Sequence, residues 1–418
     1  MKYVIINIGN LCQLRDTTPA PVAGKAMSEL PVLSNGWLFC DNGIIDSYGT
    51  MDRFDEAVKA FDRNGTAVVT DASGGMVLPG WCDSHTHIVF AEWREREFVD
   101  RINGLTYEEI ARNGGGILNS AAKMAGASEE DLVKGALSRL EEMSRFGTCA
   151  VEIKSGYGLN VDSELKMLRV VKTLKKMSPL TIKATFLGAH AVPLEYKMNR
   201  KGYIDLIVNE MLPRVAEEEL ADYCDVFCDR GFFTVEETDR ILEAGLKFNL
   251  QPKIHANELD FSGGIQAGVR HGALSVDHLE FTGEAEIKAL KDSTTMPTLL
   301  PSTAFFLKLH YAPARKMIDA GLPVALATDY NPGSSPSGNM PFVISLACIH
   351  MNMLPEEAVN AATINGAYAM DLLSDNGSIT PGKEASFMIT QPMNTLAHIP
   401  YRFGAGLIHK VFIKGKPI

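Results

Sequence analysis

The chain has no CxxC pair and only seven cysteines in 418 residues: Cys12, Cys40, Cys82, Cys149, Cys224, Cys228 and Cys348. Their number is odd and their spacing scattered, which excludes a disulfide framework and predicts reduced thiols. Cys224 and Cys228 lack the second pair that a four-cysteine metal knuckle needs, and read as buried strand residues. Basic blocks are also missing. The net charge is −11 and the pI near 5.5, so neither nucleic acid nor an anionic membrane is expected as a partner. No stretch approaches the roughly 18 apolar residues of a membrane span. The N-terminal MKYVIINIGNLCQL lacks the long apolar core and cleavage site of a signal peptide. A soluble, cytoplasmic protein is expected. No GxGxxG opens a helix after a first strand and no P-loop occurs, so the lone glycine run GGGI at 114–117 is not read as a phosphate cradle.

What is present is 46% apolar residues, enough for a sizeable core. The first 75 or so residues are rich in short strands and turns, as in KYVIINIG, GWLFCDNGIIDSYG and GTAVVTDASG. The end is similar, in EASFMITQP and LIHKVFIKGKPI. Between them apolar strands alternate with amphipathic stretches such as SEEDLVKGALSRLEEMSRFG and VDSELKMLRVVKTLKKMS. Candidate strands lie at 76–87, 148–155, 181–190, 222–229, 248–257, 273–281, 295–302 and 323–332. Eight such βα units predict a (β/α)8 barrel over 76–380. Residues 1–75 and 381–418 would form one small composite β-sandwich domain. A doubly wound open sheet is the alternative. It would gather polar residues at one switch point, whereas here nearly every strand ends in them: His85 and His87, Lys154, His190, Asp229, His255, His278, Ser302 and Asp329.

In WCDSHTHIVFAEWR, His85 and His87 stand two apart and share one face of a continuing strand. His255 closes the fifth strand and Asp329 the eighth. Three imidazoles and a carboxylate form a reasonable Zn²⁺ or Fe²⁺ set with room for a water. Such an ion lowers the pKa of its water toward neutrality.

With HxH after strand one, a His on strand five, a His on strand six and an Asp on strand eight, the chain resembles the amidohydrolase superfamily across its whole length. Strand four ends CDVFCDRG, without the lysine that bridges two metals in many members. Lys154 lies on strand two and does not carry that role, so one divalent metal per chain is implied. HANE, with Glu258 three residues after His255, resembles the mononuclear deaminase-like branch, whose Glu moves protons between water and a ring nitrogen. GLTYEEIARNGGGI, EIKSGYGL, FLGAHAVP, VDHLE and ATDYNPGSSP narrow the likeness to a branch member that hydrolyses the cyclic amide of a five-membered ring bearing a propionate. The resemblance implies His85, His87, His255 and Asp329 as metal ligands and Glu258, His278 and Asp329 as catalytic groups. It implies Arg94 as carboxylate clamp. Tyr107, Tyr157, His190, Glu258, Asn331, Gly333 and Ser334 are implied as further substrate contacts. Glu92, Glu95, Arg96 and Glu97 read as solvated or ion-paired. A small-molecule substrate and a homodimer are implied. A cytosine- or guanine-type deaminase is the nearest rival, and a non-catalytic scaffold on a decayed barrel the more distant one.

Overall fold

The computed structural model describes residues 1–105, 109 and 115–418. Strands from the start of the chain are β1 (Lys2–Cys12), β2 (Val32–Asp41), β3 (Ile44–Thr50), β4 (Val68–Asp71) and β5 (Gly75–Pro79). Then follow β6 (Trp81–Asp83), β7 (Thr148–Lys154), β8 (Thr181–Ala189), β9 (Tyr223–Cys228), β10 (Gln251–Ala256), β11 (Ser275–His278), β12 (Met296–Leu299) and β13 (Ala325–Leu326). The last are β14 (Phe387–Pro392), β15 (Ile408–Ile413) and β16 (Lys416–Pro417).

Strands β6 to β13 form one eight-stranded sheet in sequence order, parallel at each step. The two edges meet through an isolated parallel bridge between Thr86 and Tyr330. There Asp329 N–H donates to His85 O at 3.0 Å and His87 N–H to Tyr330 O at 2.9 Å. The sheet is a nearly closed (β/α)8 barrel. Helices between the strands bury an i, i+4 stripe, as Leu132, Ala136, Leu140 and Met143 do on Glu129–Arg145. Their starts are fixed locally: Ser128 accepts from Asp131 N–H, Asn160 accepts from Ser163 N–H, and Thr234 and Glu237 form a capping box.

Both chain ends build a second, mixed sheet ordered β16-β15-β14-β5-β1-β2-β3, with β4 beside β1. One of its faces buries Ile5, Leu38, Val77, Phe387, Ile389 and Phe412. The expected first strand over 76–87 is divided between the two sheets. Its beginning is β5 of the mixed sheet, its middle is β6 of the barrel, and the histidines follow β6 as a loop. Gly80 is the junction: its N–H donates to Ser386 O at 3.0 Å in one sheet, while Trp81 N–H donates to Gly147 O at 2.9 Å in the other. A Cβ on Gly80 would sit 2.0 Å from Cys149 Sγ. Strands seven and eight are likewise shorter than expected. Pro301 starts a helix, Pro301–Leu307, so Ser302 lies in that helix and not at a strand end.

Candidate active site

At the C-terminal end of the barrel, His85, His87, His255 and Asp329 converge. His87 Nε2 lies 3.3 Å from His85 Nε2 and 3.4 Å from His255 Nε2. Asp329 Oδ1 is 3.6 Å from Nε2 of both His85 and His87. All four side chains are buried. Asp329 reaches in from a left-handed backbone, φ +53°. Its carboxyl is pushed up to about 6 by burial, against the bond from Thr303.

The tautomers decide what this cluster can hold. Asp277 Oδ2 lies 2.6 Å from His85 Nδ1, and Asp225 Oδ1 lies 3.1 Å from His255 Nδ1. A carboxylate only accepts, so both rings carry hydrogen on Nδ1 and turn Nε2 toward the centre. Burial first, then the neighbouring cations and imidazoles, drives His85 well below its ordinary pKa, and it stays neutral. His87 is driven down the same way, by burial and then by His190. Its Nδ1 is buried without a partner among the described residues. A proton on His87 Nε2 would satisfy one neighbouring lone pair and leave the other facing it. A cation at the centre satisfies them all. Nitrogen donors around a tetrahedral ion at about 2.0–2.1 Å stand about 3.3 Å apart, the separation found between His87 and each of the other two rings. These residues therefore fit a divalent metal.

The cluster opens on a cavity of about 560 Å³. Arg94, Tyr157, His190, Glu258, His278, Asn331, Gly333 and Ser334 line it with His87, His255 and Asp329. Tyr107, the remaining expected contact, lies outside the described residues. His190 stacks on His87, with centroids 5.3 Å apart, and its Nδ1 faces Gly156 O at 2.9 Å. The carbonyl fixes the Nδ1–H tautomer. Burial holds the ring down to about 3, so His190 is neutral and its Nε2 is an acceptor. Burial raises the Tyr157 hydroxyl, which remains a donor. Glu258 is pushed up to about 8 by burial and then by Asp329 and Asp229.

His278 has φ +86° and Leu279 +69°. Consecutive residues of a regular strand face opposite ways. This left-handed end lets Asp277 and His278 both turn toward the site. His278 Nδ1 is buried, 3.8 Å from Glu258 Oε2 and 3.9 Å from Glu280 Oε2.

Arg94, also in the cavity lining, forms a two-pronged pair with Glu97, Nε–Oε1 at 2.9 Å and Nη2–Oε2 at 2.5 Å. Glu97 also accepts from Gly116 N–H at 3.0 Å. It is buried, and of the two expectations for it, solvated or ion-paired, the pair with Arg94 is the one found. Burial opposes its ionisation, but the Arg94 bonds outweigh it and hold the carboxyl below its usual range. Arg94 lies against Gly333, where a Cβ would meet Nη1 at 2.1 Å. Asn331 binds within its own loop: Nδ2 donates to Asp329 O at 2.7 Å and Ser334 Oγ at 2.8 Å, and Oδ1 accepts from the Gly333 and Ser334 amides.

Residues 234–418 match the model of the amidohydrolase family. A protein of Flavobacterium johnsoniae named imidazolonepropionase is 56% identical over 418 residues, covering all of both chains. A protein of the same name from Geobacillus kaustophilus is 44% identical over 409 residues, 98% of this chain and 96% of its own. The chain belongs to the imidazolonepropionase family. Among solved structures, guanine deaminase of E. coli superposes with a TM-score of 0.76 at 13% identity, covering 100% of this chain and 99% of that one. At that identity the likeness speaks for the fold.

Behind the cavity-lining side chains stand groups to which the sequence motifs assign no role. Asp277 and Asp225 hold the rings of His85 and His255. Asp229 Oδ2 accepts from the amides of Glu258, at 2.7 Å, and Leu259, at 2.9 Å, and so sets the Glu258 loop. Thr303 donates to Asp329. A usable signal was present: Glu152, Lys154, Asp225, Lys253 and Asp277 are charges inside strands buried on both faces, where such residues need partners.

Proposed function

We propose that this chain is an imidazolonepropionase that opens the ring of 4-imidazolone-5-propanoate with water, hydrolysing the cyclic amide C–N bond to give N-formimidoyl-L-glutamate, the third step of histidine degradation. The observation that carries this reading is one cavity lined both by His87, His255 and Asp329 of the candidate metal site and by the Arg94 guanidinium. His85, His87, His255 and Asp329 would hold one Zn²⁺ or Fe²⁺. When bound, that ion supplies Lewis acidity that makes water nucleophilic near neutral pH.

The chain's own side chains do the rest. The Arg94 fork, braced by Glu97, takes the propionate. Tyr157 donates to the substrate and His190 accepts from it, which fixes the ring plane. Glu258, protonated below about pH 8, gives its proton to the departing ring nitrogen. Asp329 takes a proton from the attacking water. His278, in the cavity lining, stabilises the negative charge that develops on the carbonyl oxygen. Asn331 shapes the loop that presents Gly333 and Ser334. The unpaired cysteines and the lack, among the described residues, of any helix able to cross a membrane support a cytoplasmic enzyme.

The test follows the ultraviolet absorbance of freshly made 4-imidazolone-5-propanoate, with metal-loaded protein against the same protein stripped by chelator. Metal-dependent loss that yields formimidoylglutamate is expected. Loss no faster than the spontaneous rate, with metal bound, would discard this substrate. Ammonia release from a purine or pyrimidine would favour the deaminase reading. Metal analysis of anaerobically purified protein distinguishes zinc from iron.

A further inference from the structure

We propose that Lys154 is a positioning residue for the metal centre, acting through the two carboxylates that aim His85 and His255. The inference rests on reading the four convergent side chains as a metal site.

Lys154 ends β7 and is fully buried. Its Nζ lies 2.6 Å from Glu152 Oε1, 2.8 Å from Asp225 Oδ2 and 3.5 Å from Asp277 Oδ2. An ammonium has three donors, and here three carboxylates surround it. Asp225 uses its other oxygen to accept from both the backbone N–H of His255, at 3.2 Å, and its Nδ1, at 3.1 Å. Asp277 Oδ2 faces His85 Nδ1 at 2.6 Å, while Oδ1 accepts from Ser275 Oγ at 2.6 Å. The backbone N–H of Lys154 donates to Thr86 O at 2.8 Å, between the two histidines of the HxH. One residue is thus tied to the carriers of three imidazoles without touching any of them.

Behind it, Glu152 pairs through its second oxygen with Lys253 Nζ, and Thr185 Oγ1 donates to Glu152 Oε1 at 2.6 Å. Lys253 also donates to Ala369 O at 2.9 Å. Glu152 thereby fixes where the Lys154 ammonium sits. Three carboxylates and two ammonium groups make up this buried network, so removing Lys154 leaves Asp225 and Asp277 short of a counter-charge. Breaking one side of a buried pair is costly because the other side is left uncompensated. Each carboxylate then turns away from its histidine or takes a proton, and the ring it held loses its aim.

Simple Coulomb repulsion has the opposite sign. A cation beside the site repels a divalent ion, so deleting Lys154 for charge alone would tighten metal binding. Positioning predicts weaker binding, and the sign separates the two.

The experiment is chelator competition with Zn²⁺ on the full chain, together with melting of the apo-protein. Lys154→Met is expected to raise the Zn²⁺ dissociation constant at least about tenfold, the usual range for residues behind metal ligands. In the Asp225→Asn, Asp277→Asn background the same change should add less than about threefold, because sites acting through one another are non-additive. If Lys154→Met does not fold, Lys154→Gln is measured instead. Its amide still donates to one carboxylate, and about fivefold weakening is expected. Unchanged or tighter Zn²⁺ binding, or full additivity with the Asn pair, overturns the proposal even where the apo-protein melts lower. Failure of the unmutated chain to bind Zn²⁺ overturns the metal-site reading itself, and Lys154's role with it.

Discussion

Thr303 Oγ1 donates to Asp329 Oδ2 at 2.5 Å, on the opposite carboxylate oxygen from the one that faces His85 and His87 at 3.6 Å. Thr303 lies in the Pro301–Leu307 helix, so the helix after β12 sets the rotation of a carboxylate carried after β13. Thr303→Val keeps the shape and deletes this bond. Hydrogen bonds to charged groups contribute about 1.5–3 kcal/mol, so kcat should fall about tenfold or more while KM stays within about twofold. Steady-state kinetics at full metal content checks this, and an unchanged kcat would show that Asp329 needs no such brace.

Arg94 and Gly333 are mutually dependent. Arg94→Ala should raise KM far more for the propionate substrate than for a ring without the carboxylate. Gly333→Ala should do the same more weakly, because a Cβ there displaces Nη1. Comparing kcat/KM for the two substrates decides the matter. Equal losses on both would remove the carboxylate clamp.

Lys383 gives a pH dependence. Its Nζ donates to Leu373 O at 2.6 Å and Asn376 O at 2.8 Å, and burial lowers it to about 8. Its unfolded value is about 10.4. Between these values the unfolded chain binds more protons, so stability rises with pH there. Below about pH 8 the cost of charging the buried amine is fully present. Denaturant unfolding of the unmutated chain minus that of Lys383→Met should therefore grow from pH 8 to 10, by on the order of 1–3 kcal/mol. A difference that stays flat over that range contradicts the assignment.

Gly80→Ala should lower stability. The new methyl would meet Cys149 Sγ at the junction of the two sheets, and overpacking of this kind costs about 1–3 kcal/mol. A melting temperature equal to that of the unmutated chain would show that the junction can shift.

Much of the architecture was legible because it rests on patterns. Alternating strands and amphipathic helices announce the barrel, and polar strand ends announce its working face. The division at Pro79-Gly80 was not legible, since an apolar run reads the same whether it serves one sheet or two. Ser302 was misplaced because an apolar run does not show where Pro301 turns strand into helix. In the site, the spacing of His85 and His87 is a motif, whereas Asp225, Asp277 and Thr303 are single residues of common types. Their meaning comes from partners far along the chain: Asp277 lies 192 residues from His85. His278 faces the cavity through a left-handed strand end that no residue type in VDHLE announces.

The pairing of β5 with β14 reaches into the order of synthesis. Pro79 stands opposite Phe387 and Leu78 opposite Met388, and β6 with its two histidines follows directly. A ribosome that has made 386 residues has already produced His85, His87, His255 and Asp329, but the edge of β5 still lacks its β14 neighbour. The mixed sheet closes only as the last strands emerge. A stalled product therefore carries the histidines without the strand that braces their entry into the barrel.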